Sequence, residues 1–134
     1  MFIILGTLTM IGVLALVLYH LVFNDEVEGK EPSIDQILKV SVETEEITTN
    51  LLSDHIIRTS FVIQLDNKKA KEEVEKRSFQ VENIIIQELS DRKESDFRGS
   101  EGINELENSI GARINEIMQE GYVVDVYINQ RLIQ

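Results

Sequence analysis

Residues 57–65, IRTSFVIQL, carry the alternation that decides the fold of this chain. Apolar and β-branched side chains recur at every second position, which is the period of a half-buried strand. One face of the predicted strand carries Ile57, Thr59, Phe61, Ile63 and Leu65. The other face carries Arg58, Ser60 and Gln64, with Val62 as the exception. We therefore predict a strand with one face toward a core.

A second strand is predicted just before it, over residues 39–49. Val40, Val42 and Thr44 alternate there with polar residues. The segment 50–54, NLLSD, has the composition of a turn. The two predicted strands are expected to form an antiparallel hairpin.

Two helices are expected after the hairpin. Asp66 and Asn67 supply capping oxygens for a helix that runs to about residue 92. Its apolar stripe is Ala70, Val74, Val81, Ile85 and Leu89, widened by Phe79, Ile84 and Ile86. So broad a stripe is either buried on two sides or partly an assembly surface, and core packing is the default interpretation.

The second helix is expected over residues 103–118, where apolar residues step by three or four. Gly121 is predicted to end it, and a last strand is predicted over residues 122–133. Helices grouped between antiparallel strands predict an α+β layer fold.

The N-terminal segment Phe2–Phe23 contains no Lys, Arg, Asp or Glu. At 22 residues it would extend about 33 Å, close to the hydrocarbon thickness of a bilayer, so we expect an uncleaved transmembrane anchor rather than a signal peptide. The anchor residues would be Phe2, Leu5, Leu8, Ile11, Leu14, Leu18, Leu21 and Phe23. The predicted domains are 1–23 as anchor, 24–37 as an acidic tether and 38–134 as the α+β domain.

Charge and composition exclude several functions. The formal net charge is −11, and a polyanion is repelled by phosphate backbones, so nucleic acid is not an expected partner. The chain has no Cys, which removes thiolate chemistry and Cys-ligated metals.

The remaining candidates for chemistry are few. Ser53, Asp54 and His55 are sequence neighbours, and neighbours in a strand or turn point apart, so they do not predict a catalytic triad. Glu43 and Glu45 share a predicted strand face but lack the further ligands that Ca²⁺ needs. We expect no enzyme activity, no metal and no cofactor. A hydrolase using the region of Asp54 and His55 is the less favoured alternative.

Several segments, read in order, resemble the flagellar basal body-associated FliL family, and specifically a Bacillus-type member. They are the apolar N-terminal segment, the pair Asn50-Leu51, the stretch HIIRTSFVIQL (55–65), the stretch IIIQELSDRKESDFRGSEG (84–102) and the helix INELENSIGARINEIM (103–118). The ending VYINQRLIQ (126–134) is similar to the family's last strand, but Asn129 and Arg131 replace its Thr and Phe. The packing of that edge is therefore expected to differ.

The resemblance implies a domain similar to the stomatin/prohibitin (SPFH) fold, outside the cell membrane and at the flagellar basal body. It also implies a ring of copies around stator units of the MotA–MotB type, supporting their activation and torque in swimming and swarming. Lipid bilayer, stator and further copies of the chain would be the partners. The expected oligomer or stator contacts are Phe79, Ile86, Tyr127 and Arg131. The alternative is a general SPFH-like membrane scaffold that is not tied to motility.

Overall fold

The computed structural model describes residues 2–23 and 31–134, and within the first range it describes the side chains of residues 6, 7 and 9–19. The described residues fall into two compact units, Met1–Pro32 and Ser33–Gln134. Residues 24–30 of the predicted tether lie outside the described residues. The predicted division at residues 23/24 and 37/38 stays a prediction.

The first unit contains helix α1, Phe2–Phe23, at its predicted bounds. A membrane span requires about 20 consecutive apolar residues. Over the part of the chain that the structure describes, no helix is sufficiently long and apolar to cross a bilayer. This finding contradicts the predicted transmembrane anchor and the single-pass topology. Of the eight predicted anchor residues, the described side chains are those of Ile11, Leu14 and Leu18, all exposed.

The second unit begins with helix α2, Ile34–Lys39, which lies partly within the predicted tether. Ser33 and Gln36 explain where it starts. The Ser33 Oγ accepts the Gln36 N–H and the Gln36 Oε1 accepts the Ser33 N–H, so two otherwise unpaired donors are satisfied. None of the residues of α2 is buried.

The predicted hairpin is confirmed, with an interruption in its first strand. Strands β1 (Ser41–Glu43) and β2 (Ile47–Asn50) both pair antiparallel with β3 (Ile56–Leu65). Ser41 opposes Gln64 and Ile47 opposes Thr59. The segment that contains β1 and β2 therefore has one residue more than the part of β3 that it faces. A bulge over residues 44–46 therefore divides what alternation predicted as one strand.

The last strand, β4 (Val123–Ile133), pairs antiparallel with the other edge of β3. Its register with β3 shifts between Ser60 and Phe61 and again between Gln64 and Leu65. Asn129 and Val124 are the residues skipped at these shifts, so both bulges lie in β4. The sheet thus has β3 at its centre, β1 and β2 along one edge, and β4 at the other.

The predicted first helix is two helices, α3 (Lys68–Lys76) and α4 (Ser78–Ser90). Asn67 caps α3 as expected, because its Oδ1 accepts the Ala70 N–H at 2.9 Å. Arg77, with ψ near 16°, separates the helices. Val74 before the break and Val81 after it are both buried, so the change of direction keeps both helices on the core.

Helix α5, Ser100–Ile117, follows a 3-10 turn at Glu94–Phe97. It ends four residues before Gly121, which has a φ of 136° and lies in the turn to β4. Helices α3, α4 and α5 cover one face of the sheet. The core between them includes Ile57, Phe61, Ile63, Leu65, Val74, Ile85, Leu89, Leu106, Ile110 and Ile114.

The α+β class is therefore confirmed, while the transmembrane part of the predicted architecture is contradicted. The SPFH-like description rested on the resemblance alone. No observation on the described residues supports it.

Candidate functional site

The Ser53–His55 turn does not form a catalytic arrangement. Asp54 occupies the left-handed region with a φ of 61°, which makes a tight turn. The His55 Nδ1 lies 2.8 Å from the Ser53 carbonyl oxygen. A carbonyl can only accept, so Nδ1 carries the proton and cannot take one from the Ser53 hydroxyl 3.2 Å away. The Ser53 hydroxyl instead accepts the Glu94 N–H at 2.9 Å, so this turn anchors the 3-10 segment.

Glu43 and Glu45 are not brought together as ligands. Glu43 ends β1, and its Oε1 accepts the Asn129 side-chain amide at 2.7 Å. Glu45 lies in the bulge that follows. Among residues 2–23 and 31–134 no three His, Asp or Glu side chains converge on one point.

A polar cluster joins α4 to α5. Arg113 Nη1 lies 3.1 Å from Glu88 Oε1, and Arg92 Nη2 lies 3.7 Å from the other Glu88 oxygen. Arg92 also approaches Glu105 and Ser109 on α5. Arg113 is hydrogen-bonded to α4 and both arginines are ion-paired, so the cluster aligns the two helices, while the buried Arg92 Nε has no hydrogen-bond partner among the described residues.

Glu73 is the buried charge of the helical layer. Its carboxylate accepts the N–H groups of Gln119 at 2.9 Å and of Glu120 at 2.8 Å, and Arg77 Nε lies 2.8 Å away. The backbone N–H of Gln119 holds the pKa of the Glu73 carboxyl below its usual range, against the opposing effect of burial, and the Glu120 N–H and Arg77 lower it further. Glu73 thereby ties α3 to the segment that follows α5.

The predicted contact residues of α4 differ in how free they are. Phe79 lies in the first turn of α4 and is 70% exposed, which is unusual for a large aromatic side chain. Ile86 is half-buried and packs against the core. Phe79 is thus available to a partner to a degree that Ile86 is not.

The predicted contact residues of β4 lie on two sides of the sheet. Tyr127 opposes Val62 on the face away from the helices and is 47% exposed. Burial raises the pKa of the Tyr127 phenol, and Asp125 and Glu107 raise it further. Arg131 opposes Thr59, whose side chain faces the helices, and its Nη1 donates to the Phe97 carbonyl at 2.9 Å. Arg131 therefore fixes the 3-10 turn of its own domain. Its role and those of Phe79, Ile86 and Tyr127 in contacts with partners stay predictions.

Sequence reasoning missed two surface features. Helix α2 presents Ile34 and Leu38 to solvent, and its apolar side was hidden in a segment interpreted as tether. A groove of about 540 Å³ lies beside β1, between the bulge and helices α3 and α4. The pair Glu45-Glu46 breaks the alternation of apolar and polar residues between Thr44 and Ile47. It was the available sequence signal for the bulge that borders this groove.

Comparison with known proteins gives consistent matches. A family model described as "Flagellar basal body-associated protein FliL" matches residues 41–134. The chain is 41% identical over 111 residues to the flagellar protein FliL of Bacillus subtilis (strain 168), covering 83% of this chain and 79% of that protein. It is 31% identical over 77 residues to the flagellar protein FliL of Aquifex aeolicus (strain VF5), covering 58% of this chain and 48% of that protein.

Proposed function

The chain belongs to the FliL family of flagellar basal body-associated proteins, and from that membership we propose that it acts as an accessory protein of the motor that assembles with copies of itself around stator units. The family match carries the proposal. It begins at the first residue of β1 and extends through β4 to the C-terminus. The matched segment therefore includes the whole sheet and the three helices that cover it.

The self-assembly part of the proposal rests on where the exposed aromatic side chains lie. Phe79 lies in the helical layer, whereas Tyr127 lies on the opposite, open face of the sheet. Two different patches on one subunit are what a head-to-tail contact requires, and such contacts close into a ring when the rotation between subunits permits it. A ring would convert several weak contacts with a partner into one stable attachment through effective concentration.

The partner in this proposal is a stator unit of the MotA–MotB type, held in its active state by the surrounding ring. An accessory role is consistent with the chemistry described above, in which His55, Glu73 and the Glu88 cluster are engaged in fixing the fold. Their arrangement favours a binding protein over the hydrolase alternative.

Deletion of the gene tests the proposed role. We expect the deleted strain to lose swarming and to swim more slowly, and we expect the full-length chain to restore both. Tracking of single cells separates motor speed from flagellar number, so a stator effect would appear as reduced speed with unchanged filament counts. Wild-type swarming and wild-type speed in the deleted strain would refute the proposal.

Cysteine cross-linking tests the self-assembly contacts directly, because the natural chain has no Cys. Phe79→Cys combined with Tyr127→Cys should give a ladder of cross-linked copies in intact cells. Asn108→Cys, at an exposed position of α5, is the matched control. Monomers alone from the Phe79/Tyr127 pair, or an equal ladder from Asn108→Cys, would count against the predicted contacts.

A further inference from the structure

The groove beside β1 is a surface feature that the fold and the family leave without a role. It is bounded on one side by residues 41–45 and on the other by helices α3 and α4. Its volume of about 540 Å³ lies within the range of protein binding sites, which is 300–1,000 Å³. The bulge between β1 and β2 contributes to its wall.

The floor of the groove is apolar. Val42 and Ile63 line it from the sheet, while Val74 and Val81 line it from the helices. Of these four side chains, Val42 is half-buried and the other three are buried. A small aliphatic side chain placed in the groove would therefore extend the apolar contacts of the core.

The rim of the groove is acidic. Glu45, Glu75 and Glu82 are exposed there, and no ion pair involves them among the residues that the structure describes. The basic residue of the lining is Lys71. Uncompensated carboxylates around an apolar floor attract a partner that carries basic side chains beside apolar ones.

Among the described residues, β1 pairs with β3 along one edge and with no strand along its outer edge at the groove. The Leu65 N–H bonds to the Val40 carbonyl, and the Thr44 N–H bonds to the Phe61 carbonyl. Backbone groups alternate in direction along an antiparallel strand, so those of Glu43 point away from β3. An extended peptide lying along β1 could pair with them in the way that strand addition to a sheet edge provides affinity.

We propose that the groove between β1 and helices α3 and α4 binds an extended segment of a partner protein. Every second side chain of the segment faces the helices, and these helix-facing side chains are in turn small aliphatic and basic. The aliphatic side chains contact Val42, Val74 and Val81, and the basic side chains lie against Glu75 and Glu82. The backbone of the segment pairs with Glu43. This binding site would supply a contact with a partner in the accessory role proposed above. The inference rests on that proposed role only for the identity of the partner as a component of the motor.

A second copy of the chain is the less suitable occupant, because its net charge of −11 opposes an acidic rim. A small organic cation would satisfy the carboxylates but would leave the apolar floor and the backbone of Glu43 unused. The combination of rim, floor and edge favours a peptide.

The test uses the purified full-length chain and a short blocked peptide that has valine and lysine in turn at every second residue, with serine at the residues between them. Titration calorimetry should detect binding of this peptide, and NMR should show shifts of the Glu43 and Glu45 amide signals. The same peptide with serine in place of valine should bind at least about tenfold more weakly, since the burial of the aliphatic side chains against the floor is lost. N-methylation of alternate backbone amides should weaken binding comparably.

Charge reversal provides the matched variants. Glu75→Lys combined with Glu82→Lys should weaken peptide binding by about tenfold or more. Glu101→Lys combined with Glu116→Lys changes the net charge equally at exposed positions of α5 outside the groove, and should leave the affinity within about twofold. All four positions are exposed, so circular dichroism is expected to show an unchanged fold.

Equal weakening by both double variants would overturn the proposal, since it would show adsorption to the overall negative surface. Equal affinity for the serine peptide would overturn it as well, because the apolar floor would then play no part. Self-association that Glu75→Lys with Glu82→Lys abolishes, without peptide binding, would assign the groove to a second copy instead. A deletion strain with normal motility would refute the accessory role but not this binding, so the two proposals fail separately.

Discussion

Both faces of the central strand contain nearly inaccessible side chains, but the side chains are shielded by different means. On the helix-covered face, Ile57, Phe61 and Ile63 are fully buried against apolar side chains. On the open face, Ser60 and Gln64 are 5% and 7% exposed although no helix of residues 33–134 covers them. Neighbouring side chains such as Tyr127 shield Gln64 there. Low exposure therefore reports dense packing on the first face and only lateral shielding on the second.

This difference matters for energy, because removal of packed apolar groups leaves a cavity, whereas a shielded polar group at the surface can regain contact with water. The comparison predicts that substitutions at equally inaccessible positions will differ in cost according to face.

The largest expected effect is at Phe61, whose side chain has no exposure under the helices. Phe61→Ala should lower the free energy of unfolding by about 3–5 kcal/mol. Leu132→Ala, on the open face at 48% exposure, is the control and should cost no more than about 0.5–1 kcal/mol. Chemical denaturation of the two variants measures both values. Similar losses would mean that the helices do not create the difference between the faces.

A smaller effect is expected at Glu73, the charged exception inside the helical layer. Glu73→Gln should lower the Tm because a neutral amide accepts the Gln119 and Glu120 N–H groups less strongly than a carboxylate does. Glu72→Gln, at the exposed neighbouring position, should leave the Tm unchanged. An unchanged Tm in Glu73→Gln would show that the carboxylate does not stabilise the end of α5.

The lowered pKa of Glu73 also predicts how its contribution to folding stability changes with pH. Since its pKa is lowered in the folded state, its contribution is fully present above the ordinary glutamate range and is lost as pH falls through the folded pKa. The difference in Tm between the natural chain and Glu73→Gln should therefore shrink on acidification. A constant difference down to the acid transition would contradict this linkage.

The smallest effect is expected at Tyr127, on the open face. Tyr127→Phe should change the free energy of unfolding at neutral pH by about 0.5 kcal/mol or less, because its phenol is partly hydrated. Its pKa is raised in the folded state, so the neutral phenol favours folding, and that contribution is lost as pH rises beyond the ordinary tyrosine range. The natural chain should thus lose stability in alkali more steeply than Tyr127→Phe does.

Local periodicity was sufficient to predict much of the domain from the sequence. Alternation at residues 57–65 gave the central strand and the face that enters the core, and three-and-four spacing gave α5. These patterns are readable because one side of each element must be apolar wherever a second layer covers it. The resemblance to FliL, carried by the order of several segments, was confirmed by the comparisons.

Other features depended on contacts between distant parts of the chain. The pair Glu45-Glu46 signals an interruption of the strand, but the extra residue of the bulge at 44–46 follows only from the register against β3. The break at Arg77 lies within a continuous helical pattern and allows α3 and α4 to reach one core. The roles of Glu73 and Arg131 arise from hydrogen bonds to residues 46 and 34 positions away. The sequence by itself thus determined which faces of the strands and helices are apolar. Only the tertiary structure decided which polar groups meet and where a groove stays open. The reason is that contacts between distant segments depend on strand register and helix direction rather than on local composition.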